Sequence, residues 1–280
     1  MTNKVCVVTG GTDGIGKAAA YALAAQGAKV LIHGRDTLKG QQAVAELKAR
    51  SGNPAIEFLQ ADFGSLADVR RLAASVSERA PRLDVLINNA GGFFARRSLS
   101  QDGFELTWAV NHLAPFLLTH LLMDRLKGAS QARIVTTASS THQRARIRFD
   151  DLQTSRQYTA MGAYSQSKLA NILFTRALSR RLQGTGITAT CLHPGLVRTA
   201  IGRNIDSVVT RSLLALVSRF ARSPEKGAQT LVYLATSAQV QGASGGYYFD
   251  CKATPPSPAA QDDEVAERLW DISAGMVGVS

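Results

Sequence analysis

The sequence predicts an α/β protein built as one doubly wound parallel sheet of about seven strands with helices on both faces. Three observations lead there. Short β-branched runs alternate with helical patterns through the first half of the chain, the mark of parallel strands joined by crossover helices. A glycine-rich turn stands between the first strand-like run and the first helical one. The length of 280 residues, 45% of them hydrophobic, suits one large core better than two small ones.

The elements follow in order. Strand-like runs cover residues 4–9, 29–33, 56–61, 85–88, 133–138 and 187–192, with a seventh at 246–249. Helical patterns fill 15–26, 38–50, 66–79, 104–126, 164–182 and 224–238. Gly27 and Gly184 stop two of these helices before the next strand. Residues 200–222 carry no assignable pattern, and the Pro-rich stretch 254–260 is a loop before a last helix at 263–273. The reading is a single domain over 1–280, with 196–225 as a segment covering the substrate and 250–280 as a C-terminal tail.

Composition excludes several function classes. Apolar runs are broken well short of the roughly 18 residues a membrane span needs, and Met1 stands just ahead of the first strand, so neither anchor nor signal peptide is predicted. Cys6, Cys191 and Cys251 are too few and too scattered for a disulfide framework or a zinc site. They suit a reducing, cytoplasmic setting, and no metal is expected. The formal charge of +11 attracts anions from a distance. Its basic residues are dispersed, without an aromatic-basic platform, which argues for a phosphate-rich cofactor and against nucleic acid.

The cofactor site is predicted at Thr9-Gly10-Gly11-Thr12-Asp13-Gly14-Ile15-Gly16. A glycine turn entering a helix lets backbone N–H groups approach a pyrophosphate while the helix N-terminus lends positive charge, as in Rossmann-type sheets. Strand 2 ends at Gly34-Arg35-Asp36. Gly34 stands where NAD-binding sheets carry the acidic residue that accepts the ribose hydroxyls, and Arg35 is fit to pair with a 2′-phosphate, so NADP(H) is expected over NAD. Asp36 is an acidic group one residue later that argues the other way.

With these residues in view, the chain resembles the short-chain dehydrogenase/reductase family. Residues 9–16 match its TGxxxGxG, Asn88-Asn89-Ala90-Gly91 its NNAG, Tyr164-Ser165-Gln166-Ser167-Lys168 its YxxxK, and Pro194 to Thr199 its PGxxxT, in family order. The segments 111–119, 164–174, 248–252 and 266–270 resemble the retinol-dehydrogenase-like branch.

Tyr164 and Lys168, four apart on a predicted helix, share a face. A phenol ionises near pH ~10, and an adjacent ammonium favours its phenolate, making Tyr164 the acid/base. The resemblance further implies that Lys168 holds the nicotinamide ribose, Ser140 hydrogen-bonds the reacting oxygen and Asn111 positions a water. Strand alternation allows only one of Ser139 and Ser140 to face the substrate. The family pattern selects the second, Ser140, with Ser139 as the alternative. The same resemblance puts Asp62 and Phe63 beside the adenine, Asn89, Ala90 and Gly91 beside the adenosine ribose, and Pro194, Gly195, Val197 and Thr199 near the carboxamide. Asp62 also reads as plain surface charge, and Asn89 as a brace of the sheet. His112, His120 and His142 receive no role.

The expected activity is hydride transfer between NADP(H) and a carbonyl or alcohol carbon of an apolar small molecule. The rival from another class is a non-catalytic dinucleotide-binding regulator on the same fold. Homo-oligomerisation and peripheral membrane contact remain open. Arg96, Arg97, Arg144, Arg146, Arg148, Arg198 and Arg203 follow strands 4 to 6 and are expected to rim one mouth, steering the cofactor or an anionic substrate, or serving only solubility.

Overall fold

A computed structural model describes residues 1–197 and 221–279. The predicted covering segment 196–225, with Arg198, Thr199 and Arg203, therefore lies largely outside the described residues. One sheet organises the rest. Its strands are β1 (Val5–Val8), β2 (Lys29–Gly34), β3 (Ile56–Gln60), β4 (Val85–Asn88), β5 (Arg133–Thr137), β6 (Thr188–Leu192), β7 (Tyr247–Phe249) and β8 (Lys252–Ala253), in the order β3-β2-β1-β4-β5-β6-β7-β8. All pairings are parallel except β7–β8. The eighth strand was not predicted. It pairs through Asp250 and Cys251, at φ 47° and 61°, a tight hairpin without the Asn-Gly or Asp-Gly signal that usually reveals one.

Alternation along the strands feeds two cores. Val7, Leu31, Leu86 and Ile134 point to one face, where they meet α3 (Leu66–Arg79), α5 (Ala114–Leu121), α7 (Ala160–Arg181) and α9 (Asp263–Val277). Cys6, Val8, Ile32, Ile87 and Val135 point to the other, against α1 (Gly14–Ala25), α2 (Thr37–Ser51) and α8 (Pro224–Thr236). The order reverses at β1, so the chain leaves β1 and β4 in opposite directions and opens a crevice at their carboxyl ends.

Caps fix the helix starts. Thr159 accepts from the Gly162 N–H at 3.1 Å, which starts α7 four residues earlier than predicted and sets Tyr164 in its second turn. The predicted helix 104–126 is instead broken into α4 (Leu106–Trp108), a π turn (Ala109–Leu113), α5 and α6 (Met123–Lys127). Pro115 gives the physical reason: it has no N–H to bond the carbonyl of Asn111 four residues back, and the wider turn accommodates that. At the end of the chain α9 lies along α7, with Arg176 and Arg180 paired to Asp263, Arg180 and Arg181 paired to Glu267, and the Arg181 guanidinium 4.1 Å from the Trp270 ring.

Candidate active site

The crevice between β1 and β4 is lined by the glycine turn. Thr9 closes β1 and locks the two strand ends together: its hydroxyl donates to Ile87 O and accepts from the N–H groups of Asn89 and Ala90 at 2.9 and 3.0 Å. The Asn89 amide donates to Thr9 O at 3.0 Å, so this asparagine does brace the sheet. Gly10 and Gly14 turn at φ 64° and 53°, and a Cβ on Gly16 would lie 2.2 Å from Gly10 O, a cradle no larger residue fits. Asp13 caps α1 by accepting from Gly14 N at 2.7 Å. Ile15 and Val197 meet over Gly227, where a Cβ would stand 3.2 and 2.8 Å from them.

At the end of β2, a Cβ on Gly34 would lie 2.7 Å from the Thr12 methyl, so Thr12 fills the space an acidic side chain would need. Arg35 is exposed beside it. Asp36 caps α2, its Oδ1 accepting from Lys39 N at 3.0 Å. Asp62 accepts from Gly64 N at 2.9 Å and shapes the turn that follows β3. Phe63, buried, stacks on His33 at 4.2 Å. His33 was missed from the sequence. Its Nδ1 accepts from Gly10 N at 3.3 Å, its Nε2 donates to Ala61 O at 3.1 Å, and burial pushes its pKa down to about 4, so it holds the glycine turn as a neutral ring. Nothing but a histidine ending an apolar strand marks it in the sequence.

On the other side of the crevice, Tyr164 and Lys168 share a face of α7, the ammonium 5.6 Å from the phenol ring centroid. Phe93 closes on the same ring edge-on at 5.7 Å. Lys168 is buried and donates to Thr137 O at 3.1 Å; burial without a carboxylate partner lowers its pKa to about 8. Burial raises the Tyr164 phenol, and the Ser139 hydroxyl facing it opposes that shift. Of the adjacent pair it is thus Ser139, the alternative to the Ser140 that the family pattern selects, whose hydroxyl bears on the Tyr164 phenol. Ser139 is the last extended residue after β5 and caps a 3₁₀ turn, whereas Ser140 begins the turn and is exposed. His142, given no role from sequence, steadies Ser139: Ser257 N donates to its Nε2 at 3.1 Å, leaving Nδ1–H to donate to Ser139 O at 2.6 Å.

Asn111 sits in the π turn, fully buried. Its Oδ1 accepts from Gly92 N at 2.7 Å, and its Nδ2 donates to Gly92 O and to Ser167 Oγ, both at 3.0 Å. A Cβ on Gly91 would come 3.1 Å from Asn111 Oδ1 and 3.3 Å from Lys168 Nζ, so the NNAG segment packs directly against both. Pro194 and Gly195 leave β6 with Gly195 at φ 78°, and Arg222, clamped by Asp250, lies against the glycine. Thr199 is outside the described residues.

Arg144, Arg146 and Arg148 are exposed and alternate with Ala145, Ile147 and Phe149, which pack on the core. They follow β5, three strands from the end of β2, or roughly 14 Å at the usual strand spacing. Screening attenuates interactions beyond about 8 Å at physiological salt, so at that separation these arginines act only weakly on an anion at the Arg35 end. Among the described residues no cluster of His, Cys, Asp or Glu is arranged to hold a metal ion, and no helix is long and apolar enough to cross a membrane.

Comparison with known proteins agrees with this arrangement. The family model for short chain dehydrogenases matches residues 4–209. The chain is a short-chain dehydrogenase/reductase. Within that family it falls in the retinol-dehydrogenase-like branch. It is 43% identical to mouse retinol dehydrogenase 14 over 291 aligned positions, covering 100% of this chain and 87% of that protein. Bovine retinol dehydrogenase 12 is also 43% identical, covering 100% and 88%. A solved Mycobacterium paratuberculosis protein of uncharacterised role superposes with a TM-score of 0.81 at 32% identity, covering 100% of this chain and 95% of its own. The Pseudomonas aeruginosa RhlG/NADP active-site complex gives 0.71 at 26%, covering 88% and 94%.

Proposed function

We propose that this short-chain dehydrogenase/reductase prefers NADP(H) and moves a hydride between the nicotinamide and a carbonyl or alcohol carbon of an apolar small molecule. The observation that carries the reading is the convergence of Tyr164, Lys168 and Ser139 at the mouth of a crevice whose glycine cradle suits a pyrophosphate. A non-catalytic dinucleotide sensor needs the cradle but not the phenol.

Bound nicotinamide supplies or accepts the hydride. In the carbonyl-reducing direction Tyr164 gives its proton to the carbonyl oxygen while Ser139 donates a hydrogen bond to the same oxygen. The role is given to Ser139, the alternative of the adjacent pair, because its hydroxyl bears on the phenol. The Lys168 ammonium stabilises the phenolate left behind, and Asn111 braces the Gly92 backbone beside them. In the alcohol-oxidising direction the same phenolate takes the proton.

The cofactor preference rests on Gly34, occupied against by Thr12, and on Asp36, engaged at the α2 cap, which together leave Arg35 as the charged group at the ribose end. The relatives' names and the apolar substrate class they carry support an aldehyde, ketone or alcohol with a hydrocarbon body. Titration of purified protein with NADPH and NADH, parent against Arg35→Ala, tests the first part: NADPH affinity is expected to fall about tenfold or more with NADH unchanged. Equal shifts for both dinucleotides defeat it. A screen of retinal, alkyl aldehydes, ketosteroids and quinones with NADPH, repeated with Tyr164→Phe, tests the second. Turnover retained in that variant moves the acid/base elsewhere.

A further inference from the structure

The loop that follows β4 brings Phe93 beside the acid/base and anchors it from both sides. Upstream, the buried Asn111 side chain grips both polar groups of the Gly92 backbone: the N–H donates to Oδ1 at 2.7 Å and the carbonyl accepts from Nδ2 at 3.0 Å. Downstream, the Phe94 carbonyl accepts from the Tyr158 hydroxyl at 2.6 Å. The Phe94 ring folds back over Gly92, where a Cβ would stand 2.7 Å from it, so the turn between the anchors is filled. Two more bonds stitch the following stretch to the segment before α7. Arg97 Nε donates to Gln153 O at 3.3 Å, and Glu105 N to Gln153 Oε1 at 2.6 Å.

Phe93 stands between the two anchors, and its ring meets the Tyr164 ring edge-on, centroids 5.7 Å apart and planes at 62°. Aromatic pairs favour such a contact. Neither ring is sealed in the core as Trp108 and Phe116 are, so both keep accessible surface where the reaction takes place. Tyr158 directly precedes Thr159, the cap of α7, which ties the Phe93 loop and Tyr164 to the start of one helix. A carbonyl oxygen bonded to the Tyr164 hydroxyl puts its α-carbon roughly 5 Å from that hydroxyl, the range at which the Phe93 ring stands. The ring cannot withdraw without breaking a hydrogen bond on one side of it or the other. We propose that Phe93 is a specificity-determining residue, a fixed wall beside Tyr164 that admits an unbranched α-carbon and resists a branched one. Tyr158 is the positioning residue that holds this wall through the Phe94 carbonyl.

The role of Phe93 rests on the oxidoreductase reading for its kinetic consequence, and the experiment separates the two. Octanal and 2-ethylhexanal are isomers that offer similar apolar area and differ in branching at the α-carbon, so burial alone does not tell them apart. With NADPH, kcat/KM is measured for both in the parent, Phe93→Ala and Tyr158→Phe. The parent is expected to favour octanal about tenfold or more, and Phe93→Ala to reduce that ratio about fivefold or more. Tyr158→Phe keeps its ring and loses only the hydroxyl bond, so its ratio should fall about threefold, through improved use of the branched aldehyde. Mere loosening of the fold would instead lower both aldehydes in step. Independently of turnover, the ring-labelled Phe93 signal, assigned by its loss in Phe93→Ala, is titrated by NMR with octan-1-ol and 2-ethylhexan-1-ol in the presence of NADPH. It should answer the straight alcohol at lower concentration. An aldehyde ratio unmoved in Phe93→Ala overturns the wall, and two aldehydes falling in step in Tyr158→Phe overturn the positioning role. Where neither aldehyde is turned over, the titration decides by itself: a Phe93 signal that answers the two alcohols alike, or neither, overturns the wall. Absence of turnover with any carbonyl or alcohol refutes the functional reading alone.

Discussion

Tyr164, Lys168 and Ser139 differ in how far the sequence reveals them. The i, i+4 spacing sets phenol and ammonium on one face of any helix, so those two were legible before any fold was known. The serine was not, because alternation says only that Ser139 and Ser140 diverge. Which one faces inward depends on where extended backbone gives way to the 3₁₀ turn, and that is a matter of capping by Ser139 and of the His142 bond to its carbonyl. Ser139→Ala should therefore lower kcat about a hundredfold while Ser140→Ala stays within about twofold, measured side by side on one substrate. Lys168 yields a stability prediction. Its folded pKa of about 8 lies below the unfolded ~10.4, so between those values the unfolded chain binds more protons and stability climbs with pH. Below pH 8 the burden is complete, on the order of 3 kcal/mol. Lys168→Met should melt about 5 °C higher than the parent at pH 7, lose that gain by pH 11, and be inactive throughout. A lower melting point at pH 7 would mean that the ammonium is a stabilising group.

At the scale of elements, β1 to β7 and the helices around them were readable because period and punctuation agree in each, as where β2 runs straight into its Gly34 end and α2 begins at an Asp cap. The broken helix at 104–126 has a different cause from the missed β8. Residues 104–126 present an unbroken helical pattern, and the break at the π turn is a backbone hydrogen-bonding event that periodicity does not register. Pro115 was the available signal: a proline inside a helical pattern breaks or distorts it about one turn upstream, and one turn upstream is Asn111. Pro115→Ala restores an N–H within reach of the Asn111 carbonyl and lets the turn close toward regular α geometry. The variant is expected to gain about 1 kcal/mol of stability by denaturant unfolding and to lose about tenfold in turnover as Asn111 rotates off Gly92. Unchanged kcat in a stabilised variant would show that the π turn does not depend on the proline.

Across the whole molecule, the two sides of the crevice are held by histidines that carry no charge. His33 joins β2 to the glycine turn and to Ala61 after β3, while His112 joins α9, through Ser273, to the π turn that carries Asn111. The sequence offered neither, since each is a lone ring in an apolar stretch and its partners come from other elements: Ala61 lies 28 residues from His33, Ser273 161 from His112. Burial lowers both to about 4, against ~6.5 in the unfolded chain. Between those values the unfolded chain binds more protons, so the stability that each neutral ring contributes is full above about pH 6.5 and is lost as pH falls toward 4. The formal charge of +11 at pH 7 acts in the same direction, because acid adds positive charge to a chain already repelling itself. Urea midpoints measured from pH 8 to 4 should accordingly fall most steeply between pH 6 and 4, and added salt should recover the part owed to self-repulsion and leave the part owed to the rings. His33→Asn tests the assignment within that curve. It removes one titrating ring while keeping a polar side chain near Gly10, so it should be less stable than the parent at pH 7.5 yet lose less on acidification. If the parent and His33→Asn fall in parallel from pH 6 to 4, the acid sensitivity of this protein lies in groups other than the ring that holds its glycine turn.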